Sequence, residues 1–292
     1  MGIDIIDLRN MKIAISGSSG FIGKHLISFF RNKGYEVIPL TRAVLSSPVM
    51  LSSSLAMCDV VVNLAGASIN GRWTKAYKQE IMNSRVDTTR QLVIAINNLG
   101  NAPSLFISVS AVGIYASNGI HNESSQSMSA DFLAQVCKAW ENEASQLKST
   151  TRLVIARLGV VLGADGGAAP IMLTPFRFYF GSTLGSGKQG FSWIHMEDLL
   201  HAFAFIIDNS SICGIVNLTS PEITTNKQFC KTVAQVLRKP CWFSIPSFVL
   251  KLLLGESHIL ITKGQQAFPE VLLNNGYTFS YSKLRDAITS IK

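Results

Sequence analysis

The chain has 292 residues, with 26 Lys and Arg against 18 Asp and Glu and 47% hydrophobic residues. That length and apolar content suit one large or two modest domains around a sizeable core, and they exclude a disordered chain. The net charge of +8 comes without a block of five or more basic residues and without a basic stripe alternating with aromatics. A surface short of acids accounts for it, and no nucleic-acid partner is expected. The cysteines are Cys58, Cys137, Cys213, Cys230 and Cys241, an odd count with no Cys-x-x-Cys pair. This is the pattern of a reduced, cytoplasmic-type protein without a metal site. No apolar run is long enough to span a bilayer, and no membrane partner is expected. Met1 to Asn10 lacks the basic start of a signal peptide and reads as an appendage, because Met11 stands directly before the first strand.

In chain order, an apolar run from Lys12 ends in Ser16-Gly17-Ser18-Ser19-Gly20-Phe21-Ile22-Gly23, and an amphipathic stretch with Leu26, Ile27, Phe29 and Phe30 follows. The pattern predicts strand, tight turn and helix, with backbone N–H groups and a helix N-terminus facing a pyrophosphate. Gly17 permits the turn, Gly20 admits the phosphates and Gly23 lets the helix pack closely on the strand. Gly34 stops the helix, and Tyr35 to Leu40 reads as a second strand ending in Thr41-Arg42. No acid lies between Val37 and Met57. A ribose-binding carboxylate is therefore missing, and Arg42 favours the 2′-phosphate of NADP(H) over NAD.

Ala43 to Met57 is serine-rich and reads as a loop. Asp59 to Asn63 is a buried strand leading into Leu64-Ala65-Gly66. A long helix spans Lys75 to Asn98. Glu80 and Arg85 precede its apolar face and on spacing alone form a solvated pair. Ser104 to Ser110 is a fourth strand, with Tyr115 just beyond it. Asp131 to Leu147 is helical, and Leu153 to Ala156 is a fifth strand. Residues 166–192 are rich in Pro, Gly and aromatics and read as a substrate-side lid. Trp193-Ile194-His195 opens a helix carrying Asp198. Gly214 to Leu218 is a late strand, Thr225 to Leu237 a helix, and Ser282 to Ile291 a last helix. Strands alternating with helices at this spacing predict an α/β protein. Its core is a Rossmann-like doubly wound parallel sheet with a small, mostly helical C-terminal region on the substrate side. The expected division is a cofactor domain over 11–245 and a small domain over 246–292.

These motifs, in this order, resemble an extended-type short-chain dehydrogenase/reductase. More narrowly, they resemble the atypical group labelled "epimerase family protein". The matching pieces are the glycine turn, Asn63 to Gly66, Arg72-Trp73-Thr74, Lys78 to Glu80 with Ser84-Arg85, Gly166-Gly167, Trp193 to His195 with Asp198, and Gly255-Glu256. The resemblance implies that Gly17, Ser19, Gly20, Phe21, Ile22 and Gly23 hold the pyrophosphate. It places Thr41 and Arg42 at the 2′-phosphate, Leu64, Ala65 and Gly66 along the cofactor, and Val161 beside the nicotinamide. It also makes Glu80 and Arg85 cofactor contacts.

The departures are as informative. Active members of that superfamily use Ser with Tyr-x-x-x-Lys, the Lys tuning the Tyr as proton donor. Ser110 fills the serine position, but the Tyr and Lys positions fall at Leu133 and Cys137, and no Tyr-x-x-x-Lys occurs anywhere in the chain. Ser110, Tyr115 and His195 are the remaining candidates for proton transfer. Three readings stay open: an NADP(H)-dependent oxidoreductase of unknown small-molecule substrate, a non-catalytic dinucleotide-binding sensor, and a sugar-nucleotide epimerase. The sequence leaves the oligomeric state open.

Overall fold

The structure is a computed structural model, and it describes residues 11–148 and 150–292. The ten residues read as an appendage lie outside the described residues. The first half runs β1 (Lys12–Ser16), α1 (Phe21–Asn32), β2 (Glu36–Leu40), α2 (Arg42–Ser46), α3 (Pro48–Leu55), β3 (Val60–Asn63), α4 (Lys75–Asn97), β4 (Leu105–Ala111), β5 (Ile120–His121) and α5 (Phe132–Ala144). It continues with β6 (Arg152–Leu158), β7 (Val160–Leu162), α6 (Ala169–Arg177), β8 (Ser182–Leu184), β9 (Trp193–His195), α7 (Met196–Asp208), β10 (Gly214–Leu218) and α8 (Asn226–Leu237). The C-terminal part holds β11 (Phe243–Ile245), α9 (Ser247–Leu254), α10 (Ile259–Thr262), β12 (Gln266–Ala267), α11 (Glu270–Asn274) and α12 (Leu284–Ile291).

Six strands form one parallel sheet in the order β10-β6-β4-β3-β1-β2. Its strands are apolar on both faces because helices cover both. Ile13, Ile15, Val60, Val62, Leu105 and Ile107 join Leu26 and Phe30 of α1 and Leu199 and Phe203 of α7 in one core layer. The alternate residues Ala14, Val61 and Phe106 join Leu51 and Leu55 of α3 and Leu92 and Ile96 of α4 in the other. The period-two alternation of the strands thus feeds two cores at once. A third apolar cluster joins α6, α8 and α12 through Leu173, Phe229, Val233, Ala287 and Ile288.

The serine-rich stretch expected to be a loop is instead helical. Ser47 caps α3 by accepting the Met50 N–H at 3.4 Å, Pro48 occupies the first turn, and Leu51 and Leu55 fall on the buried face one turn apart. Serine content hid a capped helix, since Pro at the first position and Ser just before it are start signals. The lid segment also has regular structure. It holds α6 and β8, and β8 pairs in parallel with β11, joining Phe243 to Ser182. No helix among the described residues is long and apolar enough to cross a membrane.

Candidate functional site

The sheet order reverses at β1, with β2 on one side and β3 on the other. In open α/β sheets the crevice at the carboxyl ends of such strands is where ligands bind. Here that crevice is fixed by a polar knot. The Ser16 hydroxyl, at the end of β1, donates to Asn63 Oδ1 at 2.6 Å and accepts the Leu64 N–H at 3.2 Å. Asn63 Oδ1 also accepts the Ala65 N–H at 3.3 Å, and its amide donates to Thr89 at 2.8 Å. Ser16 and Asn63 are fully buried, so each hydrogen bond is needed to offset desolvation. The knot sets Leu64, Ala65 and Gly66 beside the glycine turn.

Within that turn Gly17 has φ +66°, and a Cβ there would come within 2.7 Å of the Leu64 carbonyl oxygen. A Cβ on Gly23 would run into the Gly17 carbonyl oxygen, so glycine is what lets α1 start so close to β1. Gly20 has an ordinary φ of −73°, and a Cβ on it would meet only Gly17 O, at 3.1 Å. It begins α1 without any side-chain cap. Ser19 and Gly20 are exposed, and Phe21 and Ile22 half-buried. Uncapped N–H groups at the start of a twelve-residue helix fit an anionic diphosphate. The Phe21 ring closes the other side: a Cβ on Gly163, Gly166 or Gly167 would come within 2.7 Å of it. His25 of the same helix meets Asp165 at 3.2 Å. The Gly166-Gly167 motif therefore lets the start of the lid lie flat on the first turn of α1.

At the end of β2, Thr41 caps α2 through its hydroxyl, and Arg42 is exposed with no ion pair among the described residues. Glu80 and Arg85 do not meet. Five residues apart on α4, they point in different directions. Glu80 is exposed. Arg85 turns inward, donating to the Ile81 carbonyl at 3.0 Å with its guanidinium 5.4 Å from the Trp140 ring centre. A Cβ on Gly66 would touch that guanidinium at 2.9 Å. Burial pushes the Arg85 pKa below its ordinary value, and among the described residues no carboxylate contributes to it. Val161 sits in β7 opposite Ile194 and is 9% exposed, packed into the core.

The three proton-transfer candidates are not gathered into one constellation. Ser110 donates to Glu141 at 2.6 Å, and Glu141 takes a two-point ion pair from Arg157 at 2.9 and 2.7 Å. All three are nearly buried. The Arg157 guanidinium lies 4.8 Å from the centre of the Tyr115 ring. Tyr115 is fully buried, stacks on His121 and donates to Asn217 at 2.9 Å. Burial pushes its pKa up, against a lowering by Arg157. His195 is likewise engaged within the protein. Its Nδ1 accepts the Glu197 N–H at 3.2 Å as the cap of α7, its Nε2 meets Ser290 at 3.1 Å, and its ring packs on Tyr281. With Nδ1 accepting, Nε2 carries the proton, and both nitrogens are engaged. Burial lowers its pKa.

Leu133 and Cys137 lie on α5, Leu133 beside Gly113 and the Cys137 thiol against Ser110. Burial pushes that thiol up to about 11, with Glu141 adding to the effect, so it stays neutral at physiological pH and is not a nucleophile. The Glu141–Arg157 pair was not foreseen from sequence. The signal was an arginine inside the apolar strand Leu153 to Leu158, since a charge in such a run requires a buried partner.

A reversed-order parallel sheet, a Gly-x-x-Gly-x-x-Gly turn at its switch point and a serine at the end of β4 define a dinucleotide-fold protein of the extended short-chain dehydrogenase/reductase type. The model of the NAD dependent epimerase/dehydratase family matches residues 13–218. A second model, a domain of unknown function (DUF1731), matches residues 245–291. The epimerase family protein YfhF of Bacillus subtilis is 37% identical over 96% of this chain and 98% of its own length. A crystal structure of human epimerase family protein SDR39U1 with NADPH superposes with a TM-score of 0.90 at 32% identity, over 96% of this chain and 99% of that one. A nucleoside-diphosphate sugar epimerase from Corynebacterium glutamicum superposes with a TM-score of 0.79 at 29% identity, over 97% of this chain and 58% of that one. The chain belongs to the NAD dependent epimerase/dehydratase family.

Proposed function

We propose that this protein binds NADP(H) and is an oxidoreductase acting on a small-molecule substrate with a proton-transfer site that departs from Tyr-x-x-x-Lys. The observation that carries the reading is the open cradle at the end of β1: the glycine turn, the uncapped start of α1 and the backbone of Leu64 to Gly66, all fixed by the Ser16–Asn63 knot. Arg42, exposed and without an ion pair among the described residues at the end of β2, meets the 2′-phosphate. The human relative crystallised with NADPH supports the same cofactor.

The nicotinamide, when bound, supplies a hydride donor or acceptor. The chain's own contribution is positional. Glu141, anchored by Arg157, orients the Ser110 hydroxyl at the carboxyl end of β4. Arg85 brings a cation toward Gly66 and Cys137 from α4, beside the position where Tyr-x-x-x-Lys members carry their lysine. Residues 11–245 form the cofactor domain with its lid at 166–192, and 246–292 complete the substrate side. The test is fluorescence titration with NADPH and NADH, then assays of NADPH oxidation on carbonyl substrates and of epimerisation on sugar nucleotides. Preferential NADPH binding with slow reductase turnover is expected. Equal affinity for the two cofactors removes the Arg42 role, and brisk epimerisation favours the activity in the name of the Corynebacterium structure. A sensor role is the second reading, because Leu133 and Cys137 cannot transfer protons. NADPH binding without turnover on any substrate favours it.

A further inference from the structure

Residues 169–192 and 226–254 carry seven lysines and arginines and no Asp or Glu, leaving the rest of the chain close to neutral. The two segments are far apart in sequence, and the fold brings them together. β8 pairs with β11, the Gly185 N–H donates to Ile245 O at 2.9 Å, and Lys239 Nζ lies 3.7 Å from the centre of the Tyr179 ring. The same surface carries much of the molecule's exposed apolar bulk. Phe178, Phe180, Trp242, Phe248, Leu252 and Leu253 are each two-thirds or more exposed. Helix α9 is Ser-Phe-Val-Leu-Lys-Leu-Leu-Leu, apolar nearly all round. Helices of that kind are ordinarily buried in a core or in lipid, yet here only Leu250 is buried.

We infer that this lobe is a docking surface for an anionic phospholipid membrane, with α9 and the aromatics entering the headgroup boundary and the basic residues meeting lipid phosphates. Lys239 lies over the Tyr179 ring, and Arg177 and Lys251 are chain neighbours of the exposed Phe178 and Leu252, an arrangement that suits an anionic interface with hydrocarbon beneath it. A second copy fits poorly, since a two-fold contact would set this basic surface against itself. Single-stranded nucleic acid fits the charge, but Leu252 and Leu253 offer no face for a base to stack on. The contact is interfacial rather than spanning, and it revises the expectation of no membrane partner. The charge and the apolar residues form one surface only after β8 and β11 have paired.

The experiment is flotation of the full chain with vesicles of phosphatidylglycerol and phosphatidylcholine in equal parts, against phosphatidylcholine alone, at low and high salt. The expected result is binding to the anionic vesicles alone, released by salt. Leu252→Ser with Leu253→Ser should weaken it about tenfold or more. Lys239→Glu with Lys251→Glu should weaken it by at least about fivefold per position. Unchanged thermal unfolding verifies that each variant is folded. No flotation of the wild type, equal binding to neutral vesicles, or full binding by the folded leucine variant overturns the inference. So does a dimer, or a complex with single-stranded oligonucleotide, that depends on Leu252 and Leu253 while flotation does not.

Discussion

The two walls of the cleft are built in opposite ways. On the β1–β2 side, the cradle proposed for the diphosphate is mostly backbone, glycines without side chains, uncapped N–H groups and the Leu64–Ala65 chain, with Arg42 the one side chain assigned a cofactor charge. On the β4–α5 side the proposed chemistry would rest on side chains, and Leu133 and Cys137 stand where the Tyr and Lys are expected while a buried ion pair fixes Ser110. Backbone recognition depends on a few local conformations and survives sequence change. Proton transfer depends on particular groups with tuned pKa values and is lost with one substitution. A protein can therefore keep its cofactor cradle while the chemistry beside it drifts.

The sharpest way to break this contrast is Gly20→Val. Its φ tolerates a side chain, so the fold should persist while the added methyls occupy the path of the phosphates. Dinucleotide binding should disappear in titration of a protein whose circular dichroism is unchanged; retained binding would show that the cradle lies elsewhere. On the other wall, Glu141→Ala leaves the buried Arg157 guanidinium unpaired. The expected loss is about 3–5 kcal/mol of stability, read by urea unfolding. A loss below about 1 kcal/mol would mean that water already satisfies the arginine. Next in size is Arg42→Ala, which removes a charge-assisted bond worth about 1.5–3 kcal/mol. NADPH affinity should fall about tenfold or more while NADH affinity stays level.

The smallest effect concerns His195. Burial holds its folded pKa below the ordinary 6.5, so the unfolded chain binds the extra proton first as pH falls. Its contribution to stability is complete above pH 6.5 and is lost as pH drops through the lowered folded value. His195→Gln should flatten that acid limb in denaturant titrations at successive pH values. An unchanged slope would show that the imidazole is not the group responsible.

Much of the strand–turn–helix at the start of the chain was legible in sequence because its signals are local. Gly17 at φ +66° and the apolar run before it specify a turn and a strand within a few residues. The alternation of Val60, Val61 and Val62 between two cores, and the helical spacing of Leu92 and Ile96, follow from the fixed periods of strand and helix. The helix over Pro48–Leu55 is hidden behind its serine content although its start signals, Ser47 and Pro48, are present.

What the sequence by itself determined was the strand–turn–helix at the start, the parallel sheet and the absence of Tyr-x-x-x-Lys. Each is set by neighbours a few residues apart or by residue identity alone. Only the tertiary structure decided that Arg157 meets Glu141, that Tyr115 donates to Asn217, 102 residues away, and that His195 caps a helix. It also decided that two basic, apolar segments share one surface. The physical reason is that a polar side chain's role is set by the partner that satisfies it on burial, and that partner is chosen by packing across the chain.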